Sequence, residues 1–179
     1  LVEPDAIFKR SMSKDIDTLK AQGVNLVVSL IEPWEYDMTH TAALPTRLAY
    51  AGIQSKYYPI VDRQIPTNML TFDVLVREIL DALAQSSGTV LVHCKSGVGR
   101  TGLTVASVLV RDGVTAREAI ETVQATREGT LTSDFQQRFV EYYETFVFPE
   151  RTVCPLPDDA DKIPSWAARR GGPWIPSGF

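Results

Sequence analysis

The stretch TVLVHCKSGVGRT, residues 89–101, decides the fold. It opens with a short apolar run typical of a buried strand, and an apolar helical pattern follows from Gly99 to Asp112. A strand that turns abruptly into a helix directs several backbone N–H groups into one concavity, and such a concavity binds a dianion such as phosphate. Gly97 and Gly99 permit the backbone angles that a tight loop of this kind requires. We therefore predict a phosphate-binding loop at the carboxyl end of a strand.

Cys94 lies at the base of this predicted loop. The loop N–H groups and the helix dipole are expected to lower the pKa of its thiol from about 8.5, so that the thiolate can attack phosphorus. Arg100 offers a planar pair of donors to two phosphoryl oxygens, and the hydroxyl of Thr101 can donate to the sulfur and ease its departure. His93 is expected to hydrogen-bond the loop backbone rather than act as a base. The alternative for Cys94 is an ordinary buried cysteine in a strand-to-helix turn.

The rest of the loop is predicted to bind the phosphate. Lys95 is either a charge in the pocket or a solvated loop residue. The predicted substrate-binding residues are Lys95, Ser96, Gly97, Val98, Gly99 and Arg100.

The segment YPIVDRQIP, residues 58–66, supplies the candidate general acid, Asp62. It follows a predicted strand that ends near Ile60. Parallel neighbouring strands place their carboxyl ends on one side of a sheet, where ligands bind in open α/β folds, so we expect Asp62 to meet the cysteine loop. Its carboxyl group can protonate a leaving alkoxide or phenoxide and later take a proton from water. The alternative is a turn residue beside Pro66.

Strands and helices alternate along the predicted chain, which favours an α/β fold with a small, mostly parallel central sheet flanked by helices. Ser13 and Thr67 are expected to cap the first two helices, and Thr115 with Glu118 has the spacing of a capping box. The predicted strands are 25–31, 54–60 and 89–93, and the predicted helices are 14–22, 68–85, 99–112, 115–126 and 132–148.

The composition excludes several other classes of protein. The 179 residues are 44% hydrophobic and suit one domain, and the formal net charge of −4 argues against a broad surface for nucleic acid. Two cysteines, Cys94 and Cys154, make no disulfide framework, which favours a reducing, cytoplasmic compartment. No apolar run reaches the roughly 18 residues of a membrane helix, so no membrane partner is expected. No residues have metal-ligand spacing, and we predict neither a metal nor another cofactor.

The arrangement H-C-x5-R-T after a strand, with P-I-x-D-x-x-x-P upstream, resembles the dual-specificity branch of the protein-tyrosine phosphatase family over residues 13–148. Among its members, the glycines of the loop, Lys95 and the T-G after Arg100 look closest to cyclin-dependent-kinase-associated phosphatases. The resemblance implies a dual-specificity phosphatase fold. It also implies two-step, metal-independent hydrolysis of phosphotyrosine, phosphoserine or phosphothreonine in proteins, through a phosphocysteine.

The same resemblance extends to one residue beyond the loop and to the domain boundaries. Gln136 matches a family glutamine that helps to place the hydrolytic water; alternatively, it forms a capping box with Ser133. Residues 1–149 are expected to form the phosphatase domain, whose usual N-terminal strands look truncated or weak in residues 1–12. Residues 150–179, rich in proline and tryptophan, are expected to form an extended tail.

The sequence leaves two other functions open. A phosphatase of the same fold could act on a phosphoinositide or a 5′-phosphorylated RNA. Lipid-directed relatives carry lysines at the first and fourth loop positions, whereas the fourth position here is Val98. A phospho-binding module without catalysis is the other alternative, and such modules tend to lose the cysteine or the arginine that this chain keeps.

Overall fold

The central strand β1 (Val24–Ser29) lies between β2 (Gln54–Tyr57) and β3 (Thr89–His93) in a three-stranded sheet. Both pairs are parallel, and the last residue of β1 pairs with the last residue of each neighbour. The carboxyl ends of all three strands therefore meet at one edge of the sheet, which is where the loops carrying Cys94 and Asp62 begin. The prediction of a small, parallel sheet flanked by helices is confirmed.

The computed structural model describes residues 11–85 and 88–151. The predictions for residues 1–10, for Cys154 and for 152–179, which is most of the predicted tail, lie outside the described residues. Residues 149–151 form a short 3₁₀ turn after the last helix. The helices are α1 (Met12–Ala21), α2 (Pro33–Met38), α3 (Leu44–Tyr50), α4 (Met69–Ala84), α5 (Gly99–Arg111), α6 (Ala116–Thr126) and α7 (Asp134–Val147).

Helices cover both faces of the sheet because side chains along a strand alternate between its faces. Val28 lies in the larger core, with residues of α4, α5, α6 and α7. Its neighbour Val27 lies in a smaller core, with residues of α1 and α3. Both valines are fully buried. The described part of the chain contains no helix that is long and apolar enough to cross a membrane.

Several predicted boundaries need correction. Helix α1 begins one residue before Ser13, so its N-cap is Ser11. Helix α4 is capped by Asn68, whose Oδ1 accepts a bond of 3.0 Å from the N–H of Thr71, and not by Thr67. The strands β1 and β2 end two and three residues earlier than predicted, at Ser29 and Tyr57. Backbone hydrogen bonds nevertheless continue past these ends, from the N–H of Tyr58 to the carbonyl of Ser29 and from the N–H of Ile60 to the carbonyl of Leu30, both at 3.0 Å.

Two short helices, α2 and α3, were not predicted. Each carries a proline in its first turn, at Pro33 and Pro45, where the missing N–H costs nothing. At six and seven residues they are too short to show a hydrophobic period. The capping box of Thr115 and Glu118 at the start of α6 is confirmed.

Candidate active site

The cysteine loop has the strand–loop–helix form that the sequence predicts. Cys94 follows β3 directly and is buried, with 8% of its surface exposed. Its Sγ accepts two bonds of 3.2 Å, from the N–H of Gly97 and from the hydroxyl of Thr101. Gly97 has a φ of +73°, in the left-handed region, which lets its N–H turn back toward the sulfur.

The environment of Cys94 lowers the pKa of its thiol. Burial acts in the opposite direction, because it disfavours the charged form. It is outweighed by the hydroxyl and N–H of Thr101, by the N–H of Gly97 and by the positive charge of Arg100. The thiolate is therefore stabilised by groups already in position, as a nucleophile at the base of a phosphate loop requires.

Arg100 lies almost fully inside the protein, with 2% of its surface exposed. Its Nη1 donates to Oε2 of Glu35 at 2.6 Å and its Nη2 donates to Oε1 of the same residue at 2.7 Å. Nη1 also contacts the carbonyl of Ile60 at 3.0 Å. The guanidinium is thus fixed by a bidentate carboxylate and by the backbone of the loop that carries Asp62.

Asp62 meets the cysteine loop, as the parallel sheet predicts. Its Oδ1 lies 3.0 Å from Nη2 of Arg100, and its side chain is 49% exposed. Its N–H donates to Oε2 of Glu32 at 3.3 Å. One open cavity of about 660 Å³ contains Asp62, Cys94 and Arg100 in its wall.

The predicted loop residues differ in their position relative to this cavity. The cavity is lined by Lys95, Ser96, Val98 and Gly99, of which Lys95 and Ser96 are exposed. The Nζ of Lys95 lies 3.9 Å from Sδ of Met38 in α2. Gly97 contacts the sulfur through its N–H rather than lining the cavity.

Gln136 is buried in the cavity wall, with 2% of its surface exposed. Its Nε2 donates to the carbonyl of Gln64 at 2.9 Å, which ties α7 to the loop carrying Asp62. The N-cap of α7 is Ser133, as predicted, but its side chain makes no capping bond. The interpretation of Gln136 as half of a capping box is therefore wrong.

His93 contacts the loop backbone, as expected. Its Nδ1 lies 3.3 Å from the carbonyl oxygen of Cys94, and its Nε2 lies 2.6 Å from Oγ of Ser29. Burial, assisted by the charge of Arg100, lowers the pKa of His93 to about 4, although the bond to Cys94 acts in the other direction. The imidazole is therefore neutral near pH 7.

Two charged residues of the site were not predicted. Glu35 is completely buried against Arg100 although it lies in the short helix α2. A capping box of Glu32 and Glu35 around Pro33, right after β1, is the sequence signal that could have placed it at this edge of the sheet. Arg127, after α6, donates to the carbonyls of the cysteine loop. No sequence pattern distinguishes it from other exposed arginines.

Known proteins identify the family to which the chain belongs. Residues 6–114, more than half of the chain, match the model of the family Tc-R-P, described as polymorphic toxin system, DSP-PTPase phosphatase. The chain belongs to this family. It is a phosphatase of the protein-tyrosine and dual-specificity type, as the resemblance predicts.

Curated relatives carry the same type of domain in longer chains. This phosphatase is 31% identical to human dual specificity protein phosphatase CDC14C over 105 residues, which cover 58% of this chain and 22% of that protein. It is 29% identical to mouse protein tyrosine phosphatase domain-containing protein 1 over 147 residues, which cover 77% of this chain and 19% of that protein. The chain thus spans about a fifth of each of these relatives.

Solved structures share the fold at lower identity. A kinase associated phosphatase (KAP), with serine at its catalytic-site cysteine, superposes with a TM-score of 0.71 at 21% identity, over 77% of this chain and 78% of that one. PTPMT1 in complex with PI(5)P gives a TM-score of 0.67 at 19% identity, over 78% and 88%. The dual-specificity phosphatase fold predicted from the sequence is confirmed.

Proposed function

We propose that this phosphatase hydrolyses phosphotyrosine, phosphoserine or phosphothreonine in proteins through a phosphocysteine intermediate. The observation that carries the proposal is the buried Cys94 sulfur. It accepts bonds from Gly97 and Thr101, and it shares one cavity with Arg100 and Asp62. In the first step the thiolate attacks phosphorus, an S–P bond forms and the P–O bond to the leaving group breaks.

Arg100 and Asp62 have complementary tasks in that step. A phosphoryl dianion that enters the loop competes with Asp62 for Nη2 of Arg100, because both are anions. The displaced carboxyl group, in its protonated form, can stay beside the dianion as a hydrogen-bond donor. Asp62 then gives this proton to the leaving oxygen, while Arg100 stabilises the charge on the phosphoryl oxygens.

The second step releases phosphate. Water attacks the phosphocysteine, Asp62 takes a proton from it, and the S–P bond breaks to restore the thiolate. The hydroxyl of Thr101 donates to the sulfur at 3.2 Å and therefore stabilises the departing thiolate. Gln136 lies in the wall of the same cavity, which supports a role in placing the water.

The substrate class is inferred from the loop and from the relatives. Val98 leaves the fourth loop position without charge, which favours a phosphorylated side chain over a highly charged lipid head group. CDC14C is named a dual specificity protein phosphatase, and this supports a phosphoprotein as the partner. In the proposed protein phosphatase, residues 1–149 form the catalytic domain, residues 150–179 form an appended tail, and the compartment is the cytoplasm.

A substrate panel tests this function. It contains phosphotyrosine, phosphoserine and phosphothreonine peptides, an aryl phosphate, a phosphoinositide and a 5′-phosphorylated RNA, each assayed by phosphate release with and without a chelator. We expect turnover of peptides and aryl phosphate by the wild type and by Cys154→Ser, unaffected by the chelator, and none by Cys94→Ser. Turnover restricted to the lipid or the RNA would contradict the protein substrate. Turnover that persists in Cys94→Ser would contradict the mechanism.

A further inference from the structure

The outer face of the cysteine loop is held by a segment that the catalytic scheme does not use. Three successive loop carbonyls accept bonds from residues 127–131. Arg127 donates from Nη2 to the carbonyl of Ser96 at 3.2 Å and from Nη1 to that of Gly97 at 3.4 Å. The N–H of Leu131 donates to the carbonyl of Val98 at 3.3 Å.

These bonds fix the direction of the loop N–H groups. The peptide bonds of the described residues are all trans, and in a trans peptide the C=O and the following N–H point in opposite directions. The carbonyl of Ser96 bonds Arg127 on the outside, and the N–H of the same peptide, on Gly97, donates to Sγ of Cys94 on the inside. A carbonyl held outward therefore holds an N–H toward the thiolate.

The loop needs such a restraint because of Gly97. A glycine resists rotation of its neighbouring peptides less than any other residue. A rotation there would turn a carbonyl oxygen toward the thiolate and remove a bond that lowers its pKa. A Cβ on Gly97 would lie 2.9 Å from Nη1 of Arg127, so the guanidinium packs directly over the flexible position.

The segment of residues 127–131 is itself fixed at its end, Leu131. Leu131 is fully buried and has a φ of +51°, an unfavourable conformation that surrounding contacts must maintain. Its carbonyl accepts two hydrogen bonds from side-chain amides, one from Nε2 of Gln124 at 3.0 Å and one from Nε2 of Gln137 at 2.8 Å. The segment that carries Arg127 is thus anchored to α6 and α7.

We infer that Arg127 is a positioning residue that holds the Ser96–Gly97 and Gly97–Val98 peptides with their N–H groups directed at Cys94 and the bound anion. This inference rests on the proposed function but concerns the loop itself. It can therefore be measured without turnover, through the pKa of Cys94 and the affinity for an oxyanion.

The experiment compares Arg127→Met and Arg127→Lys with Arg117→Met, an exposed arginine of α6 that pairs with Glu121. The pKa of Cys94 is read from the pH dependence of its alkylation by iodoacetamide, and anion affinity is read from tungstate binding. We expect Arg127→Met to raise the pKa of Cys94 and to weaken tungstate binding by about 10-fold, the scale of losing a charge-assisted hydrogen bond. The melting temperature should match that of Arg117→Met.

Arg127→Lys separates geometry from charge, because lysine keeps the charge but lacks the planar fork that spans two carbonyls. In Arg127→Lys we expect the pKa of Cys94 and the tungstate affinity to lie between those of Arg127→Met and those of the wild type. Wild-type values of both quantities in Arg127→Lys would overturn the inference. So would values in Arg127→Met equal to those in Arg117→Met. Failure of the proposed function is a different result, in which the wild type binds tungstate normally but releases no phosphate from the panel.

Discussion

The guanidinium of Arg100 and the carboxylate of Glu35 form a buried bidentate ion pair, with nitrogen–oxygen distances of 2.6 and 2.7 Å. Burial raises the pKa of Glu35, but the bonds from Arg100 and from the N–H of Glu32, with the charge of Lys95, lower it overall. Glu35 is therefore ionised at neutral pH and fixes the plane of the guanidinium. The arginine that we propose as the phosphate clamp is thus oriented before any phosphate binds.

Glu35→Gln should weaken both folding and catalysis. Without the Glu35 carboxylate, the buried guanidinium of Arg100 keeps, among the described residues, only the half-exposed carboxylate of Asp62 as an ionic partner. Breaking a buried ion pair in this way is expected to lower the free energy of unfolding by about 3–5 kcal/mol. Arg100 also loses its orientation, so kcat/KM should fall. Glu78→Gln is the control, because Glu78 pairs with Lys56 in a half-exposed bridge, and such pairs contribute about 0–1 kcal/mol. Equal losses in urea unfolding of the two variants would contradict the prediction.

Asp62→Ala should lower kcat by about 10²–10⁴-fold, the usual contribution of a positioned acid. The loss should be large for alkyl phosphates, whose leaving group needs a proton, and smaller for activated aryl phosphates. Steady-state kinetics on both substrate types provide the test, with the exposed Asp81→Ala as control. An equal loss on both types would count against Asp62 as the acid.

Thr101→Val should raise the pKa of Cys94, because the hydroxyl that stabilises the thiolate is removed. Catalysis requires the thiolate, so the acid limb of the pH–rate profile should move to higher pH. Thr104→Val is the matched control, since this buried hydroxyl of the same helix donates to the carbonyl of Arg100 and not to the sulfur. The rate of Cys94 alkylation as a function of pH measures the shift. No shift relative to Thr104→Val would refute the role of the hydroxyl.

His93 should make the fold sensitive to acid. Its pKa in the folded protein is about 4, below its ordinary value of 6.5, so the folded state binds this proton less readily than the unfolded state. The contribution of the neutral His93 to the free energy of unfolding is complete above about pH 6.5. It is lost as pH falls toward 4, by on the order of 2–3 kcal/mol. Urea unfolding across this range should show a shallower pH dependence for His93→Asn than for the wild type.

The control for this prediction is His40→Asn, which changes the other histidine of the chain, an exposed one. This change leaves the buried imidazole of His93 in place, so the acid sensitivity assigned to His93 should remain. If His93→Asn keeps it as well, the buried imidazole is not the group responsible.

The sequence predicts the cysteine loop well because its signals are local. The apolar strand, the glycines and the following helix all lie within residues 89–112, so the nest around Cys94 follows from neighbouring residues. The approach of Asp62 could also be predicted, because parallel strands bring their carboxyl ends together whatever their separation in the chain.

Glu35 and Arg127 could not be predicted in the same way. The burial of Glu35 results from a partner 65 positions away, and an acidic residue in a six-residue helix otherwise indicates a solvated surface. The contacts of Arg127 depend on how the chain after α6 crosses the loop 30 residues before it. The local capping box could place Glu35 at this edge of the sheet, but its pairing with Arg100, like the contacts of Arg127, comes from tertiary packing.

The buried pair of Arg100 and Glu35 also has an evolutionary consequence. A change of either residue alone would break this buried ion pair, so the two are expected to be retained or replaced together among descendants. Cys94→Ser keeps the ion pair of Arg100 and Glu35 and removes the proposed nucleophile. Lineages that abandon catalysis while keeping the fold should therefore lose the cysteine first and retain the arginine long afterwards.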